Sequence, residues 1–110
     1  MPTRNEFRKL YAFIGDTGVA GIKLKSKSGW GWYNDGNGSD DYGFSILPAG
    51  YRYGYRDTFE HEGKVAIFWT AEEFNSYANV WAARFVYKSK VADQLVFDTE
   101  NGLSVRCLKD

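Results

Sequence analysis

Residues 28–52 read SGWGWYNDGNGSDDYGFSILPAGYR, and the fold turns on how this stretch is taken. It holds too much Gly, Asn, Asp and Ser for a helix or a strand. Loops longer than about 12–15 residues without regular structure are uncommon, and are usually functional or disordered. Disordered segments are poor in aromatic residues, whereas Trp30, Trp32, Tyr33, Tyr42, Phe44, Ile46, Leu47 and Tyr51 punctuate this one. The reading is a long ordered loop, pinned over a small core by its own rings, with Trp30 and Tyr51 as buried anchors.

Working outward, a chain of 110 residues fits a single domain with a modest core. Aromatic residues make up 18%, a share that favours strands or a binding face over a helical bundle. Fourteen basic and fourteen acidic residues cancel, so there is no electrostatic footprint for nucleic acid or anionic lipid. No apolar run approaches the roughly 20 residues of a membrane span. MPTRNEFRKL has no signal-peptide core. One cysteine, Cys107, excludes an internal disulfide and a cysteine zinc cage. It reads either as a small half-buried hydrophobe or as a thiol without its partner.

Before the loop, Thr3-Arg4-Asn5-Glu6 is a capping box. Phe7, Leu10, Tyr11 and Ile14 then recur at helical spacing, and Gly15 supplies the left-handed stop. This predicts an N-terminal amphipathic helix. Residues 16–21 read as a flexible connector, and Ile22-Lys23-Leu24-Lys25 as a terse strand or extended arm.

Within the loop, residues 34–41 gather side-chain oxygens and glycine. Asp35, Asn37 and Ser39 alternate, with Asp40 or Asp41 as further ligands, and a hard cation such as calcium asks for such spacing. The competing reading is that these residues cap turns through their own backbone. Beyond the loop, Tyr51, Tyr53 and Tyr55 alternate with Arg52, Gly54 and Arg56. Such a ladder is either a binding face rich in hot-spot residue types or an aromatic face packed on the sheet. His61 sits in a polar turn and reads as a surface residue.

The second half predicts antiparallel sheet. Residues 65–70 form a continuous apolar run, broken by polar residues 71–77. Residues 81–88 alternate, 88–90 turn, 94–97 form a strand, and Glu100-Asn101-Gly102 signals a hairpin. Leu103, Val105 and Cys107 then share one side of a closing strand over 103–108, completing a meander.

Several strings are similar to one known family. They are Leu24-Lys25-Ser26 with Ser28-Gly29-Trp30, the run from Gly36 to Arg52, Phe68-Trp69-Thr70-Ala71-Glu72-Glu73-Phe74 (similar to W-S/T-S/T-T-E-Y/F), and Leu103-Ser104-Val105-Arg106-Cys107-Leu108-Lys109-Asp110 (similar to G-F-S-V-R-C-V/L-K/R-D). Together they resemble the Fibrobacter succinogenes major paralogous domain, loosest between Tyr53 and Phe59. The resemblance implies an α+β, C-type-lectin-like domain over residues 1–110. Here that means a helix, a long ordered loop and a small antiparallel sheet. It also implies that a strand, a helix and the disulfide partner of Cys107 are missing upstream of Met1-Pro2-Thr3. The closing strand is then expected to expose an edge, and to form a homodimer or swapped assembly through it.

By the same resemblance the chain is a bacterial surface or secreted recognition module for a glycan or a protein. Its candidate contacts are Trp32, Tyr33, Arg52, Tyr53 and Tyr55, flat apolar rings with polar edges among them. A hypervariable receptor shares the fold. The sulfatase-modifier relatives work through paired cysteines, and this chain has one. Glu72 and Glu73 are neighbours, so on a strand they face opposite sides. With His61 the lone imidazole, no nucleophile–base pairing is legible, and the expectation is a protein that is not an enzyme.

Overall fold

The computed structural model describes residues 1–31, 36–75 and 78–109. Helix α1 spans Arg4–Ile14. Its first turn is closed reciprocally: Thr3 Oγ1 accepts the Glu6 N–H at 3.1 Å, and Glu6 Oε1 accepts the Thr3 N–H at 3.0 Å. Phe7, Tyr11 and Ile14 are buried on one stripe, and Gly15 stops the helix at φ 117°.

A second helix follows at once, where the sequence reads as a connector and a short arm. Helix α2 spans Thr17–Leu24, with the Asp16 carboxylate accepting the Thr17 N–H at 2.8 Å. Two glycines disfavour a helix here. Gly21 is nonetheless required, because a Cβ on it would lie 2.6 Å from the Val91 carbonyl oxygen. The glycine lets α2 press directly onto the backbone of residues 90–91, and that packing outweighs its propensity.

The strands form two antiparallel sheets. β1 (Tyr51–Tyr53) pairs with β2 (Thr58–Glu60), and β3 (Val65–Asn75), β4 (Asn79–Val86) and β5 (Ala92–Asp98) form a meander. β3 runs on through the polar residues expected to break it, with its register against β4 shifting between Trp69 and Glu73. That irregularity absorbs Glu72 and Glu73 without ending the strand.

Across β3 and β4, Ala66 faces Phe85 and Phe68 faces Ala83. These side chains form the core with Phe7, Tyr11, Leu24, Trp30 and Ile46. Tyr11 and Phe68 each meet the Phe85 ring edge-on, at 6.2 Å. On the other face of the same sheet, Tyr51 contacts Phe97 at 5.8 Å. The meander thus lies between the helices and the β1–β2 hairpin.

The long loop has no helix among its described residues. Trp30 is fully buried, its indole N–H shared between Ser26 Oγ at 3.2 Å and the Ile46 carbonyl at 3.0 Å. Beneath it lies Lys25, 1% exposed, whose Nζ donates to the carbonyls of Val86 and of Ser89. Burial lowers the Lys25 pKa from 10.5 to about 8.

Residues 103–108 do not form the expected closing strand. Gly102 bridges Arg52 and Ser104 bridges Phe68, each as a single pairing. The segment is a seam between the two sheets, with bonded neighbours on both sides at those points. Cys107 is a free thiol and is exposed, not half-buried.

Candidate functional site

Three of the five sequence-predicted contact residues lie on the β1–β2 hairpin. Trp32 and Tyr33, and with them Asp35 of the oxygen cluster, lie outside the described residues. The hairpin register sets Tyr51 opposite Glu60, Arg52 opposite Phe59, and Tyr53 opposite Thr58. Directly opposed residues share a face. Arg52 and Phe59 therefore share one face, and Tyr51 and Tyr53 the other.

Tyr55 does not continue the ladder. The strand ends at Tyr53 and the chain turns, placing the Tyr53 and Tyr55 rings 5.7 Å apart. Tyr55 is 66% exposed and Phe59 84% exposed. Arg52 is committed to Asp57, its Nε donating to Oδ1 at 2.8 Å and its Nη2 to the same oxygen. It braces the turn more than it offers a free cation.

The hairpin is held at several points. Arg52 and Gly102 exchange both backbone hydrogen bonds at 2.9 Å. The Gly54 N–H donates to Asn101 Oδ1 at 3.1 Å, and the Tyr55 hydroxyl to Asp98 Oδ2 at 2.8 Å. Asp98 also accepts the Glu100 N–H at 2.9 Å. These bonds stabilise its ionised form and hold its pKa below the ordinary carboxylate value. The same contact raises the Tyr55 phenol. The Glu100–Gly102 signal therefore makes a turn whose capping groups grip a different hairpin.

Beyond β2, His61 stacks on Tyr51 with centroids 5.8 Å apart. Gly31, His61, Glu62, Gly63 and Lys64 line a cleft of about 500 Å³. Phe59 is an exposed ring on this hairpin that the sequence reading did not single out. Its signal was its opposition to Arg52 across a short turn, hidden because residues 59–63 read as polar.

The oxygen cluster has local work. Asn37 Oδ1 accepts the Trp30 N–H at 3.1 Å, and Ser39 Oγ donates to the Ile22 carbonyl at 3.4 Å. The Asp40 carboxylate accepts the Ser45 N–H at 2.8 Å and its hydroxyl at 2.5 Å. Those bonds lower its pKa. Asp41 is exposed. Among the described residues, no group of three or more His, Cys, Asp or Glu could hold a metal ion. Nor is any helix there long and apolar enough to cross a membrane.

Glu72 accepts the Arg4 N–H at 3.1 Å, which ties β3 to the start of α1. In comparisons with known proteins, residues 1–109 match the model of the Fibrobacter succinogenes major domain. No curated protein and no solved structure matches the chain.

Proposed function

The chain belongs to the Fibrobacter succinogenes major domain family, and from that premise we propose a non-catalytic recognition module that meets a glycan or a protein through its β1–β2 hairpin. The carrying observation is that Tyr55 and Phe59 stand 66% and 84% exposed on a hairpin fixed to the neighbouring turn. Large exposed rings on a braced backbone lose little entropy on binding, and aromatic residues dominate interface hot spots. The rings suit sugar faces and protein pockets alike. Two helices, two small antiparallel sheets and a long irregular loop support the C-type-lectin-like form of the fold. The extracellular or surface setting and a homodimer belong to the same proposal and rest on the resemblance; the homodimer is no longer routed through Gly102 and Ser104, which are already bonded to Arg52 and to β3.

A glycan array tests the reading. Bound signal is expected to fall about thirtyfold in Phe59→Ala, the weight of a hot-spot residue. Undiminished signal in that variant would overturn the reading. Phe59 is exposed, so its removal is expected to leave stability within about 0.5 kcal/mol.

A further inference from the structure

A second cleft lies on the other side of the meander, between α1, the start of α2 and β5. It measures about 300 Å³, and its walls include Arg4, Arg8, Tyr11, Thr17, Asp93 and Gln94. That is at the small end of ligand pockets, room for a monosaccharide-sized molecule. Tyr11 is 1% exposed, and its hydroxyl has no hydrogen-bond partner among the described residues. A buried hydroxyl without a partner is costly, and few native side chains leave one so.

Most of the polar groups around it are already matched to each other. Asp93 is held by Arg84, Nε to Oδ1 at 3.1 Å and Nη2 to Oδ2 at 2.6 Å. Gln94 exchanges hydrogen bonds with Arg4, accepting from Nε at 2.9 Å and donating to its carbonyl at 3.2 Å. The Arg4 guanidinium lies 3.5 Å from the centre of the Trp81 ring. Asp16 caps the Thr17 N–H at the start of α2. Besides the Thr17 hydroxyl, two groups are left over: the Tyr11 hydroxyl and the Arg8 guanidinium, which has no ion-pair partner among the described residues. Both are donors, and one carries a positive charge.

We infer that this cleft binds a small organic carboxylate, whose oxygens accept from the Tyr11 hydroxyl and the Arg8 guanidinium. A planar carboxylate matches the guanidinium fork. A doubly charged phosphate suits the site less, with Asp93 in its wall. The inference stands independently of the hairpin surface, which lies across the sheet.

The test is titration of the ¹⁵N-labelled chain with sodium glucuronate at fixed ionic strength, with acetate, glucose and inorganic phosphate as parallel arms. Saturable shifts are expected for the amides of Thr17 and residues 91–94 and for the Trp81 indole, with glucuronate and more weakly with acetate. Tyr11→Phe keeps the ring and removes one oxygen. It is expected to weaken glucuronate binding about tenfold to hundredfold, the worth of a hydrogen bond to a charged group, while leaving the unfolding midpoint unchanged or higher. Arg8→Gln, on an exposed position, is expected to weaken it comparably. No saturable shift with either carboxylate overturns the inference, as does a stronger response to phosphate. Equal binding by Tyr11→Phe with a lowered midpoint also overturns it, because the hydroxyl would then be serving the fold through a bound water.

Discussion

Replacing Gly54 by alanine probes the seat of the hairpin. A Cβ at this position would lie 2.1 Å from the Glu100 carbonyl oxygen and 2.5 Å from its carbonyl carbon. Ordinary carbon contacts begin near 3.4 Å, so the two backbones must separate by about 1 Å. The obstacle is main chain on both sides, and no side-chain rotation relieves it. Overpacking of this kind costs about 1–3 kcal/mol. The Gly54 N–H bond to Asn101 and the paired bonds between Arg52 and Gly102 lie nearest the wedge. Gly54→Ala is therefore expected to lower the free energy of unfolding by about 2 kcal/mol in urea titrations followed by tryptophan fluorescence. In hydrogen exchange, the Arg52 and Gly102 amides are expected to lose protection while those of β4 keep theirs. A variant as stable as the parent, with both amides protected as before, would refute the docking argument.

Three further outcomes follow from the same contacts. Trp30→Phe loses both indole hydrogen bonds and leaves a gap where no water reaches, and is expected to cost about 2–4 kcal/mol in urea unfolding; a loss under 0.5 kcal/mol would remove Trp30 as the loop's anchor. Lys25 binds its proton less tightly folded, at about 8, than at its ordinary 10.5. Between those pH values the unfolded chain holds a proton that the folded one has released, so stability is expected to rise with pH there, by at most about 3 kcal/mol. The carbonyls of Val86 and Ser89 and the Trp30 face favour the ammonium and make the gain smaller; Lys25→Met should flatten the slope, and a parent curve falling from pH 8 to 10 would contradict the assignment. Calcium added after chelation is expected to leave the unfolding midpoint unchanged, because Asn37 and Asp40 already bond within the loop and Ser39 to α2; a rise of several degrees would show that the oxygens regroup around the ion.

What could be read in advance divides along physical lines. Signals within one turn of chain were legible: the Thr3–Glu6 box, the Phe7, Tyr11, Ile14 stripe and the Gly15 stop all describe α1. Trp30 was legible too, since an aromatic inside a polar run has few reasons to be there but anchoring. Helix α2 was not, because Gly18 and Gly21 look like flexibility in a string. Gly21 is instead a contact, and its meaning depends on residues 90–91 far along the chain. The alternation of residues 103–108 was real and its consequence was not. The turn over residues 99–101 takes the chain out of β5, and the segment that follows is bridged to Arg52 and Phe68, on two distant strands, in place of its sequence neighbour.

The site shows the same divide. Arg52, Tyr53 and Tyr55 were found from residue type, but the strand ends at Tyr53, so the ladder they suggested breaks. Tyr51, expected as a buried anchor, is half-buried between His61 and Phe97. Asp98 and Asn101, which fix the hairpin, carry no local mark of that role. Their partners, Tyr55 and Gly54, lie more than forty positions upstream.

The most direct test of the central claim compares three chains on one glycan array: the parent, the Tyr55→Ala/Phe59→Ala pair, and Gly54→Ala. The account predicts signal from the parent and loss from both variants, one through missing rings and the other through a hairpin lifted off the Asp98–Gly102 turn. Full signal from Gly54→Ala, with its Arg52 amide deprotected, would contradict it, since recognition would then need no seated hairpin.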